Sequence, residues 1–218
     1  MKFKAAIFDL DGTLLDTIED LTDCMNAALK TMGYPGRSVE ECKLLVGEGL
    51  ESFVERALPD SARPDPAAKA RLANLMRQEY ARRGVVKTKP YRGIPGLLDE
   101  LVRRGLSLAV LSNKPHPSTE HVVRLLLPRW AFRAVVGARD GVARKPDPGS
   151  ALEVARLLRA EPREIVYLGD SSTDMLTANA AGMYAVGVLW GFRSAEELKL
   201  NGARVLIAEP ADLLAYLD

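Results

Sequence analysis

Six short apolar runs of β type recur along the chain: AAIF (5–8), LSLAVL (106–111), AVV (134–136), IVYLG (165–169), YAVGVL (184–189) and RVLI (204–207). They are near-continuous rather than alternating, which is the pattern of parallel strands covered on both faces. Helix-like segments separate them. The stretch 94–104 stops at Gly105, a residue suited to the position just past a helix, and 148–158 repeats apolar residues at helical spacing. This rhythm predicts an α/β fold, a doubly wound parallel sheet.

One interval breaks the rhythm. Between the first run and the second lie far more residues than one crossover needs. Within it Ile18, Leu21, Met25, Ala28, Leu29 and Met32 share a helical face until GYPG (33–36) interrupts. Ser38 and Glu41 form a candidate capping box for a second helix. Leu50, Phe53, Val54, Ala57 and Leu58 suit a third, and 67–83 a fourth, closed by Gly84. The expected organisation is an α/β core, 1–15 with 89–218, carrying an inserted helical module, 16–88.

Composition narrows the partners. With 30 Lys and Arg against 29 Asp and Glu the net charge is +1, so neither nucleic acid nor an anionic membrane is the expected partner. Cys24 and Cys42 have neither zinc-site spacing nor the density of a disulfide scaffold. No apolar run approaches the ~20 residues of a membrane span. A cytoplasmic protein acting on small molecules is expected.

In open α/β sheets ligands bind beyond the carboxyl ends of the strands. The first run delivers Asp9 and Asp11 there, followed by Gly12 and Thr13. The second delivers Ser112, Asn113 and Lys114, the loop after AVV brings Lys145, and IVYLG brings Asp170 and then Asp174. Singly, these are ordinary helix caps, turn residues and loop charges. Jointly they are not, because several carboxylates on one rim repel unless a cation sits among them. Carboxylates with a carbonyl and waters suit Mg²⁺, which is commonly shared with substrate phosphate. One carboxylate could then attack phosphorus and another protonate the leaving oxygen, while Lys145 and a hydroxyl of Ser112 or Thr13 hold the phosphoryl group.

DLDGTL (9–14), LSNKP (111–115), KPDP (145–148) and GDSSTD (169–174) closely resemble, in order and position, the four motifs of the haloacid dehalogenase superfamily. NANAAGM (177–183), WGFRSAEEL (190–198) and the closing VLIAEPADLL are similar to its phosphoglycolate phosphatase-like branch. The resemblance implies a HAD-like Rossmannoid core, an inserted cap, and hydrolysis of a small phosphorylated metabolite through an aspartyl-phosphate. It implies Asp9 as nucleophile and Asp11 as general acid and later base. Thr13, Ser112, Asn113 and Lys145 would bind substrate. Asp9, the Asp11 carbonyl and Asp170 would hold Mg²⁺, with Asp174 in support. The stretch 45–50 looks like the substrate-facing loop of the cap. A metal beside Asp9 and a metal-remote Asp11 side chain would push their pKa values apart.

The nearest rival is a phosphomutase sharing the same Asp9 chemistry, against which the C-terminal similarity argues. Dehalogenases and phosphonate hydrolases of the superfamily do not keep an acid at the position of Asp11. A non-catalytic phosphate- or Mg²⁺-binding module would have lost one of these groups, and all are present. For a substrate carboxylate, the candidates are Lys43, Arg56 and the amides of 47–49, although a solvated helix face is the expectation for both side chains. His116 and His121 take no role, and Trp130, Trp190 and Phe192 read as packing. A monomer or homodimer is expected.

Overall fold

The computed structural model describes residues 3–83 and 85–217. The chain divides into two compact units, Met1–Asp16 with Pro90–Asp218, and Thr17–Lys89.

The first unit is built on a six-stranded sheet. Its strands are β1 (Ala5–Phe8), β4 (Ser107–Pro115), β5 (Phe132–Ala138), β6 (Ile165–Gly169), β7 (Tyr184–Val188) and β8 (Val205–Ile207). Their order is β5-β4-β1-β6-β7-β8, and every pairing is parallel. Two-residue strands, β2 (Leu15–Asp16) and β3 (Lys89–Pro90), lie where the chain departs and returns. β1 is central, with Phe8 opposite Val110 on one side and Leu168 on the other. All four of its residues are fully buried, as the unbroken apolar runs require.

Ala5 and Ile7 join a cluster with Val154, Met175 and Leu198. These come from the helices α7 (Gly149–Leu158), α8 (Ser172–Ala180) and α9 (Ala195–Leu200). Ala6 and Phe8 point to the opposite face by strand alternation. The helices α5 (Ile94–Arg103) and α6 (His116–Leu126) complete this unit, with short 3₁₀ turns at Pro162–Glu164 and Pro210–Tyr216. Gly105 takes the left-handed conformation just past α5, at φ +79°.

β4 runs four residues beyond the apolar stretch that announces it. Polar residues after a strand suggest a turn, but here Ser112, Asn113 and Lys114 are all buried. Their polar groups find partners inside the unit, so the extended backbone continues. The register against β5 shifts between Leu111 and Pro115.

The second unit is helical: α1 (Ile18–Thr31), α2 (Val39–Leu45), α3 (Leu50–Ala57) and α4 (Pro66–Arg83). Gly84, expected to close α4, lies outside the described residues. The Ser38–Glu41 capping box forms as its spacing suggests. Asp20 on α1 accepts the backbone N–H groups of Val86, Lys87 and Thr88 and the Thr88 hydroxyl, which ties the first helix to the returning chain. Cys24 and Cys42 are free and buried. Lys43 pairs with Glu40, and Arg56 donates to the Leu44 carbonyl and pairs with Glu48. Among the described residues no helix is long and apolar enough to cross a membrane.

Candidate active site

The site grows from the carboxyl end of β1. The Asp9 N–H still bonds Leu168 O at 2.9 Å, so Asp9 leaves the central strand in ladder geometry. Leu10 anchors in the core, and its carbonyl accepts the N–H groups of Thr13, Leu14 and Leu15. This tight loop passes through Gly12 at φ +87°, where an added Cβ would lie 2.3 Å from Asp170 Oδ2. Glycine is therefore required both by backbone conformation and by the close approach.

β6 supplies Asp170. Its Oδ1 accepts the Thr13 hydroxyl at 3.2 Å and its Oδ2 the Phe192 N–H at 2.8 Å. Trp190 ties the same loop by donating Nε1–H to the Thr13 carbonyl at 2.9 Å. Trp190 and Phe192 thus brace the site beyond mere packing, a role that needs backbone positions distant in sequence.

Asp174 serves two functions. Ser171 caps α8, and Asp174 Oδ2 completes the reciprocal capping box by accepting the Ser171 N–H and hydroxyl. Its other oxygen accepts Lys145 Nζ at 2.7 Å and the Tyr167 hydroxyl at 3.3 Å. Asp174 thus completes the α8 cap through one oxygen and faces Lys145 and Tyr167 through the other.

Lys145 is 5% exposed. Besides Asp174, its ammonium donates to Leu111 O at 3.1 Å and stands 3.0 Å from Asp9 Oδ1. Asp9 Oδ1 is itself buried and without a well-aligned hydrogen bond. Asn113 fixes the main chain of Lys145, accepting its N–H at 3.0 Å and donating to its carbonyl at 3.1 Å. Ser112 is buried beside it, its hydroxyl accepting the Lys114 N–H at 3.3 Å.

The carboxylates of Asp9, Asp170 and Asp174 bring oxygens within 4.8 Å of one another, all buried. Burial and then the Asp174 charge push Asp9 up to about 7, against the opposing pull of Lys145. Burial, then Asp174 and Asp9, push Asp170 up to about 8. Lys145 is held well above its ordinary value, because Asp174 and Asp9 outweigh the burial that would lower it. One ammonium among three carboxylates leaves an excess of negative charge in a desolvated pocket. That donor set fits a hard divalent cation.

Asp11 stands apart from the three-carboxylate cluster. Its two carboxylate oxygens are each 3.2 Å from Lys114 Nζ, and both side chains are largely buried. This pairing spans 103 positions. Nothing in the local pattern around either residue announces it. Of the two histidines, His116 accepts the Gly137 N–H through Nδ1, and His121 is exposed on α6.

A family model for haloacid dehalogenase-like hydrolases matches residues 6–188. Phosphoglycolate phosphatase 1 of Pseudomonas aeruginosa is 31% identical over 99% of this chain and 80% of its own length. The phosphoglycolate phosphatase of Aquifex aeolicus is 29% identical over 99% of this chain and 97% of its own. A crystal structure from Lactobacillus delbrueckii subsp. bulgaricus, 33% identical, superposes with a TM-score of 0.93, covering 100% of this chain and 99% of that one. The chain belongs to the haloacid dehalogenase-like hydrolases and is a phosphatase resembling the phosphoglycolate phosphatases among them.

Proposed function

We propose that the protein hydrolyses small phosphomonoesters of the 2-phosphoglycolate class by transferring the phosphoryl group to Asp9, with the helical unit Thr17–Lys89 acting as its cap. The observation that carries the reading is the buried Asp9 carboxylate, held 3.0 Å from the Lys145 ammonium at the end of the central strand and clustered with Asp170 and Asp174. The names of the relatives support the substrate class.

An Asp9 oxygen attacks phosphorus as the bond to the ester oxygen breaks, and the Asp11 carboxyl gives its proton to that departing oxygen. Water then attacks the aspartyl-phosphate while the Asp11 carboxylate takes its proton. Inorganic phosphate leaves and Asp9 is restored. Lys145 and the Ser112 hydroxyl hold the phosphoryl oxygens as charge builds on them. Asn113 and Thr13 support this work through Lys145 and Asp170. Asp9, Asp170 and the Asp11 carbonyl would hold Mg²⁺, with Asp174 in support; when bound, the ion supplies Lewis-acid stabilisation of the phosphoryl oxygens. The same reading assigns the enzyme to the cytoplasm, as a monomer or homodimer with no nucleic-acid or membrane partner.

A phosphate-release screen over phosphorylated metabolites, with and without Mg²⁺, tests this. Mg²⁺-dependent release of inorganic phosphate, strongest for short phosphorylated acids, is expected. Isomerised product without phosphate release would replace hydrolysis with a mutase reaction, and no turnover of any ester would overturn both.

A further inference from the structure

Lys114 has no part in the chemistry just described, yet it is one of the most deeply placed cations of the sheet unit, 8% exposed at the end of β4. A lysine in that position loses most of its hydration, and a buried ion pair seldom recovers that cost as stability. Its ammonium is equidistant from the two Asp11 oxygens, at 3.2 Å each. The pair engages both ends of the Asp11 carboxylate and restricts rotation about its side chain. The backbone under Lys114 is itself fixed. Its N–H bonds the Ser112 hydroxyl, and its carbonyl accepts the Thr119 hydroxyl at 3.1 Å. Next to it, Asn113 clasps the main chain of Lys145. One strand end thus sets the positions of two cations, one beside Asp9 and one on Asp11.

We propose that Lys114 is a positioning residue for proton delivery to the leaving group: it holds the Asp11 carboxyl in the orientation from which the departing oxygen is protonated. This rests on the acid role given to Asp11 under Proposed function. Orientation errors of an ångström in a reacting group can cost about 10²-fold in rate. The loss should fall only on substrates whose leaving oxygen needs the proton. Alkoxide leaving groups need it, whereas p-nitrophenolate departs readily without it.

The test compares wild type, Lys114→Met, Asp11→Asn and the double variant, with Mg²⁺, on 2-phosphoglycolate, glycerol phosphate and p-nitrophenyl phosphate. The readout is kcat/KM, which covers the steps through leaving-group departure and is insensitive to later hydrolysis of the intermediate. Lys114→Met is expected to lower kcat/KM about 10²-fold for both alkyl esters, through kcat with KM little changed, and only several-fold for the aryl ester. In the Asp11→Asn background it should add little, because the two residues act as one unit. Equal loss on all three esters, or full additivity with Asp11→Asn, would overturn the proposal. So would a KM rise confined to 2-phosphoglycolate, which would make Lys114 a contact for the substrate carboxylate. If Lys114→Met does not fold, as judged by its thermal transition, Lys114→Gln is held to the same outcomes. Should Asp11→Asn itself show no leaving-group dependence, the acid role fails. Should it show the dependence while the Lys114 variants do not, only the present inference fails.

Discussion

Asn113 and Lys145 clasp each other through a two-point amide contact, the Lys145 N–H on Asn113 Oδ1 at 3.0 Å and Asn113 Nδ2–H on the Lys145 carbonyl at 3.1 Å. The contact joins the end of β4 to the loop that carries the ammonium facing Asp9. Asn113→Ala would leave a buried donor and acceptor unpaired, at a cost of about 1–3 kcal/mol. It would also let the ammonium drift, and we expect kcat to fall about 10²-fold. Denaturant unfolding and steady-state kinetics on one preparation check both. Loss of stability with unchanged kcat would confine Asn113 to the scaffold.

Asp170 links the first loop to β6 and is one of three carboxylates crowded in the cluster. A cation bound there stabilises the folded chain by mass action, about 2.7 kcal/mol at a hundred times its dissociation constant. Mg²⁺ should therefore raise the melting temperature of chelator-treated wild type and leave that of Asp170→Ala nearly unmoved. Equal shifts in the two proteins would place the ion elsewhere.

Asp20 gives the helical unit a pH signature. Burial pushes its carboxyl up, but the hydroxyl and N–H of Thr88 and the N–H groups of Lys87 and Val86 outweigh that and hold it below its ordinary value of 3.8. A depressed folded pKa means that the unfolded chain binds the proton more readily. The stabilisation is complete above the unfolded value and is lost as pH falls through the folded one. Asp20→Ala, which strands the buried Thr88 N–H and hydroxyl and frees the part-buried N–H groups of Val86 and Lys87, should cost about 1–3 kcal/mol near neutral pH. The gap from wild type should shrink below about pH 4. Urea titrations at neutral and acid pH measure it, and a gap independent of pH would remove the carboxylate from the account.

The sheet was legible because strands buried on both faces must be apolar throughout, so 5–8 and 165–169 coincide with β1 and β6. Capping boxes are equally local, and Ser38 with Glu41 needs only its spacing. The carboxylates at the strand ends could be read as a group because fold topology carries those ends to one rim. What binds each of them could not. The partners of Asp11, Asp170 and Lys145 lie 103, 157 and 29 positions away along the chain. The excess length of β4 was hidden for the same reason, since its polar end looks like a turn until distant partners satisfy it. In the helical unit, Asp20 reads as an ordinary first-turn acid, and only the returning segment at Val86–Thr88 gives it a reason to be buried.

The proposed hydrolysis depends on phosphoryl transfer to Asp9. Rapid acid quench of the Mg²⁺-loaded enzyme with radiolabelled phosphomonoester measures this directly. Protein-bound, base-labile label should appear within the first turnover in wild type. It should be absent from Asp9→Asn, which should also release no phosphate. Label retained by Asp9→Asn, or turnover by that variant above a trace, would remove Asp9 as the nucleophile.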